Sequence, residues 1–113
     1  MDDPNYLNPT VAEQARELAS RLIDQETDED TYWSGSEFQG FFGQHLPEGL
    51  DDATCRLYLV WADLTDIWEL HLERRTESVS LMREAAREFL ALNGTPNDLD
   101  AYLTRWYKRL GRS

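Results

Sequence analysis

With 113 residues and 41% hydrophobic content, the chain has enough apolar material to bury one core but is too short for two domains. Its 22 acidic side chains outnumber 11 basic ones, and the whole excess lies in residues 1–52, where thirteen Asp/Glu face two Arg; residues 53–113 carry nine of each. A field of this sign repels phosphate, which argues against direct binding of nucleic acid or an anionic membrane and in favour of a basic protein partner.

No stretch approaches the roughly 18 apolar residues of a membrane helix, and the start Met-Asp-Asp-Pro lacks the basic and apolar regions of a signal peptide. A cytoplasmic protein is expected. Cys55 is the only cysteine, which excludes an internal disulfide or a cysteine-based zinc site and leaves a small, half-buried side chain as the simplest reading. Ten of the eleven basic residues are Arg, Lys108 being the exception.

The pattern is helical from end to end. After residues 1–8, expected to be flexible, Asn8-Pro9 supplies a cap and a proline at the first helical position, with Thr10-x-x-Glu13 as an alternative capping box. Val11, Ala15, Leu18, Ala19, Leu22 and Ile23 then recur along one face. This first helix is expected to stop near Asp24, because Asp24, Glu26, Asp28, Glu29 and Asp30 repel one another and would sit at the negative end of its dipole. Residues 24–33 read as an exposed acidic loop. Ser34-x-x-Glu37 is the capping box for a short second helix whose stripe is Phe38, Phe41, Phe42 and His45; Gly40 and Gly43 weaken it, and Pro47-Glu-Gly-Leu ends it.

Asp51-Asp52 opens the longest helix, expected to reach about Arg75, or some 36 Å at about 1.5 Å per residue. Leu57, Val60, Trp61, Leu64, Ile67, Trp68 and His71 form its main stripe, and Leu59, Leu70 and Leu72 lie off it, which predicts that more than one face is covered. Arg74-Arg75 places positive charge at its C-terminus, where the dipole favours it. The stripe Val79, Met82, Ala86, Phe89 and Leu90 marks a fourth helix, separated from the third by a break at Thr76–Ser78. Asn93-Gly94 ends it, and Thr95-Pro96-Asn97-Asp98 opens a fifth with face Leu99, Tyr102, Leu103, Trp106 and Leu110, closed by Gly111. No segment alternates as a strand would. The expected architecture is a single all-α domain, an antiparallel bundle of four to five helices around a long central third helix.

Tests for chemistry turn up little. Asp24, Glu26, Asp28 and Asp30 alternate as in a calcium loop, but Glu29 stands where such a loop needs Gly and Gly35 where it needs a bidentate Glu. His45 and His71 lie on separate helices without ligand spacing, and Asp63, Asp66, Glu69 and Glu73 read as the wet face of the third helix. There is no phosphate loop, nucleophile elbow or zinc motif. No enzymatic activity, metal or cofactor is expected. More informative is the placement of Tyr32 and Trp33 directly after the acid run, outside the apolar periodicity. Either they anchor a partner, with Asp24, Glu26, Asp28, Glu29 and Asp30 steering it, or they staple the second helix.

The segment Glu84-Ala-Ala-Arg-Glu-Phe-Leu-Ala-Leu92, followed after a short turn by Tyr102 and Trp106, resembles the closing helices of some small immunity proteins. These are acidic helical bacterial proteins that neutralise a cognate toxin, often a nuclease, in contact-dependent or polymorphic toxin systems. Their toxin contacts differ, so the resemblance carries over no residue role. It implies an inhibitor that occupies the basic cleft of a toxin or another nucleic-acid-binding enzyme. The alternative is a regulatory or adaptor domain, or a DNA mimic, that binds a transcription or phage-defence component and spreads its acids broadly, as phosphates are spread.

Overall fold

Among the described residues five helices account for the fold: α1 (Pro9–Ile23), α2 (Asp28–His45), α3 (Asp52–Leu70), α4 (Arg75–Leu90) and α5 (Pro96–Arg109), with one 3₁₀ turn, Leu72–Arg74, between α3 and α4. The structure, a computed structural model, describes residues 9–45, 52–92 and 95–111, and among these there is no strand. The expected cap at Asn8, the break at Pro47 and the stop at Asn93-Gly94 lie outside the described residues, as does the side chain of His45.

α1 buries Ala15, Ala19 and Leu22, one stripe of small and branched residues that packs against α4 and α2. α2 begins at Asp28, six residues before the predicted start at Ser34, so Asp28, Glu29 and Asp30 form its first turn and residues 28–33 are not loop. The physical reason is at Thr27. Its hydroxyl accepts the Asp30 backbone N–H at 3.1 Å and its carbonyl accepts both the backbone N–H and the hydroxyl of Thr31. Carboxylates that would have opposed the dipole at the end of α1 favour it at the start of α2. The inward stripe of α2 is Thr31, Gly35, Phe38 and Phe42, a helical repeat whose first half is not apolar.

α3 ends at Leu70, short of the predicted Arg75, and at about 28 Å for its 19 residues it is still the longest helix. The chain leaves the helix at His71 (φ −133°, ψ 85°). Two α4 side chains take up carbonyls of α3: Arg75 Nε donates to Trp68 O at 3.0 Å, and the buried Ser78 hydroxyl donates to Leu64 O at 2.8 Å. Ser78 therefore ties two helices together instead of breaking one. His71, Leu70 and Leu72 are all exposed, the two leucines at 71% each, so the expectation that Leu70 and Leu72 mark a second covered face is wrong. Cys55 is exposed as well, not half-buried. The start of α5 matches the prediction: Thr95 caps it, accepting Asp98 N–H at 3.2 Å, with Pro96 in the first turn. Gly111 leaves the helix at φ +78°, a conformation suited to glycine.

The core draws on all five helices, and its aromatic centre spans four of them. Phe38 of α2 stacks on Trp61 of α3 (4.5 Å between ring centroids) and meets Phe42 at 4.9 Å and Phe89 of α4 edge-on at 5.8 Å. Phe89 in turn faces Tyr102 of α5 at 6.0 Å, and the buried Tyr102 hydroxyl donates to Ala85 O at 2.9 Å. α4 touches each of the other four helices.

Gly35 makes that packing possible, since a Cβ there would run into the fully buried Met82 sulfur, whereas one at Gly40 would meet nothing within 4 Å. Gly40→Ala is therefore expected to raise stability by about 1 kcal/mol through helix propensity alone. Gly35→Ala is expected to lower it by about 1–2 kcal/mol, the overpacking outweighing the same gain. Thermal or denaturant unfolding of the two variants checks the opposite signs.

Candidate functional site

α2 carries Tyr32 and Trp33 one turn past its acidic start, and the end of α3 brings Trp68 and Glu69 to meet them. The Tyr32 ring lies nearly parallel to Trp68, 5.1 Å away at an interplanar angle of 13°, and its hydroxyl donates to the Glu69 carboxylate. The Arg75 guanidinium also lies over Trp68, 4.6 Å from the ring centroid, held in place by its bond to the Trp68 carbonyl. Trp33 packs edge-on against Tyr32 at 5.2 Å and 62°, with 59% of its surface exposed. Four groups from three helices thus form a layered ledge, Trp33–Tyr32–Trp68–Arg75.

Tyr32 and Trp33, a pair in the sequence reading, have separate roles. Tyr32 is buried to 8% exposure and belongs to the edge of the core. Trp33 is a surface ring on a rigid support. An exposed tryptophan with its orientation fixed by neighbours loses little entropy on binding, which is the property of an interface anchor.

Of the predicted acids, Asp28 and Glu29 share a surface groove with Tyr32, Trp33, Trp68 and Glu69. Asp24 and Glu26 lie in the α1–α2 connection, and Asp30 is in the first turn of α2; all three are exposed and none lines the groove. Among the described residues no cation pairs with the side chain of Asp24, Glu26, Asp28, Glu29 or Asp30. With residues 28–30 in helical turns, the alternation that mimicked a calcium loop is gone, and no group of three His, Cys, Asp or Glu side chains among the described residues converges as a metal site.

Sequence reasoning missed Trp68, Glu69 and Arg75 as members of this surface. The periodicity alone puts Trp68 on the apolar stripe of the third helix, and the position of Arg75 near a helix end suggests only a partner for the dipole. A usable signal was the seven-residue spacing from Trp68 to Arg75 across a helix end, which can fold a guanidinium back over a ring. Arg83 was missed too. From α4 its Nη2 donates to Gln25 O at 3.0 Å and to Thr31 Oγ1 at 3.1 Å, clamping the α1–α2 connection and fixing where α2 starts.

No family model, curated protein or solved structure matches the chain.

Burial, and then the bond to Glu69, push the Tyr32 phenol up from its ordinary value of 10.0 to about 12. A raised folded-state value means that the stability gained by keeping this phenol protonated, buried and bonded to Glu69 is fully present below pH 10 and is lost as pH rises through about 12. In an alkaline absorbance titration, Tyr32→Phe is expected to remove one late-ionising phenol, and the variant's stability should fall less steeply between pH 10 and 12 than the parent's. A phenol lost from the ordinary range near pH 10 would show that the bond does not form.

Proposed function

We propose that this chain is a stoichiometric protein inhibitor of the immunity or antitoxin kind, which docks a basic partner, such as a nuclease toxin, and blocks it by occupancy and not by catalysis. One juxtaposition carries the reading. The first turn of α2 sets carboxylates that no cation among the described residues neutralises beside a broadly exposed, rigidly supported tryptophan. The charge would steer encounter with a basic surface, and Trp33 would slow its departure. The resemblance of residues 84–106 to the closing helices of immunity proteins points the same way. A DNA mimic is the less favoured reading, because it calls for acids spread over a broad face and gives no role to an aromatic ledge among them.

The test is capture of the partner from the native host, followed by titration of that partner's own activity. Inhibition should be complete at one equivalent. Asp28→Asn, Glu29→Gln and Asp30→Asn together should slow association far more than they speed dissociation, and added salt should erase the difference. Trp33→Ala should weaken binding by about 2 kcal/mol with the melting temperature nearly unchanged. A captured protein that stays fully active at saturation would overturn the inhibitor reading. Intact affinity in the Trp33 variant would overturn the anchor.

A further inference from the structure

The groove at the start of α2 has two ends with different chemistry. At the Trp68 end the charges are already engaged: Arg75 covers the ring and Glu69 accepts the Tyr32 hydroxyl. The groove is also lined by the open Trp33 ring and by Asp28 and Glu29, one helical turn before Tyr32 and Trp33, with no cation bound to either carboxylate among the described residues. Glu29 precedes Trp33 by four residues on one helix. Because helical side chains lean toward the N-terminus, the indole lies over the turn that carries Glu29.

The molecule itself shows what such a ring accepts. Of its four tryptophans, Trp61 is buried against Phe38, while Trp68 and Trp106 each lie under a guanidinium, Arg75 and Arg109, at 4.6 Å in both cases. Trp33 is the broadly exposed one, and no cation of the described chain lies over it. Trp106 is fully buried with its guanidinium over it and Trp68 is half-buried under its own, so stacked guanidinium on tryptophan is an arrangement this fold already uses at the edge of its core, beside Glu88 and Glu69.

We propose that the Trp33 end of the groove is a receptor for an arginine side chain of the basic partner. The guanidinium lies on the Trp33 face, and its N–H groups donate to the Asp28 and Glu29 carboxylates. Arginine fits better than lysine because its planar, weakly hydrated cation can stack and fork to a carboxylate at once, whereas an ammonium gives up a tightly held water shell to do either. The groove as a whole sets Asp28, Glu29 and Glu69 against Arg75, three carboxylates to one guanidinium, so an incoming cation is drawn to the Trp33 end and away from Arg75. This assignment rests on the reading above that the surface binds a basic protein, and it names the chemistry that surface would recognise.

The probe is N-acetyl-arginine N-methylamide, titrated into the full chain while the four indole N–H resonances are followed by NMR, with N-acetyl-lysine N-methylamide as comparison. Trp33→Phe assigns its resonance by the peak that vanishes, and the other three indole peaks report whether each variant keeps its fold. The Trp33 resonance should move saturably, with a dissociation constant on the order of millimolar and at least about threefold tighter for the arginine amide. The double variant Asp28→Asn/Glu29→Gln should weaken that binding by about threefold or more, while the remaining indole peaks stay in place. Equal response to both amides, no response, or a response indifferent to the double variant would overturn the arginine receptor. The two readings fail separately. A partner whose inhibition needs Trp33 when the arginine amide does not bind leaves the inhibitor standing and removes the receptor. Binding of the amide, with no basic protein inhibited, does the reverse.

Discussion

The stacking of Phe38 on Trp61 sets the rotation of α2, and most of what is distinctive about the surface follows from that rotation. With Phe38 and Phe42 turned into the core, helical geometry carries Thr31 and Gly35 inward on the same stripe and leaves Trp33 facing out. Gly35 lets Met82 of α4 lie against the α2 backbone, and Thr31 receives the Arg83 guanidinium of the same helix. The core thus dictates the register of α2 as far as its first turn, and with it the positions of Asp28, Glu29, Tyr32 and Trp33. Without that constraint the acidic run would have nothing to hold it in a helix beyond the Thr27 cap, worth about 1 kcal/mol.

The uneven charge of the chain has a structural counterpart. In the second half, bases and acids are matched locally: Arg109 with Glu84, Arg105 with Glu88, Arg74 with Glu77, and Arg56 of α3 with Asp100 of α5. The Arg109 guanidinium holds the Glu84 carboxyl below the usual carboxylate range, and Arg74 does the same to Glu77. The α1–α2 connection and the first turn of α2 have no such partners among the described residues, so their charge is directed at solvent. Exposed pairs like those of the second half add little stability each. Their more important consequence is cancellation, which leaves the start of α2 as a concentrated source of negative field.

Helix content, the capped start of α5, the Phe38 and Phe42 stripe and the buried face of α3 were all legible, because apolar residues at helical spacing and Thr-Pro-x-Asp punctuation state them directly. The start of α2 was not. Its inward stripe runs on through Gly35 and Thr31, residues that do not read as core, and Thr27-x-x-Asp30 is a capping pattern hidden in a run that reads as repulsion. The end of α3 was misread for a related reason: Leu70 and Leu72 look apolar enough to continue a helix, yet both are exposed, and Ser78 looks like a breaker but ties α4 to α3. Within the candidate site the local members, Asp28, Glu29, Tyr32 and Trp33, were visible from their adjacency. Trp68, Glu69 and Arg75 were not, since their membership depends on where α3 stops and how α4 returns.

The central claim is that residues 28–33 are the first turns of a helix that presents Trp33 and its carboxylates on a rigid base. Backbone Cα and carbonyl chemical shifts of these six residues test it most directly. The account predicts helical secondary shifts beginning at Asp28, continuous with those of residues 34–44, and slowed amide exchange from Thr31 onward through its bond to Thr27. Random-coil shifts up to Ser34, with fast exchange throughout, would contradict it and return the acidic run to a loop.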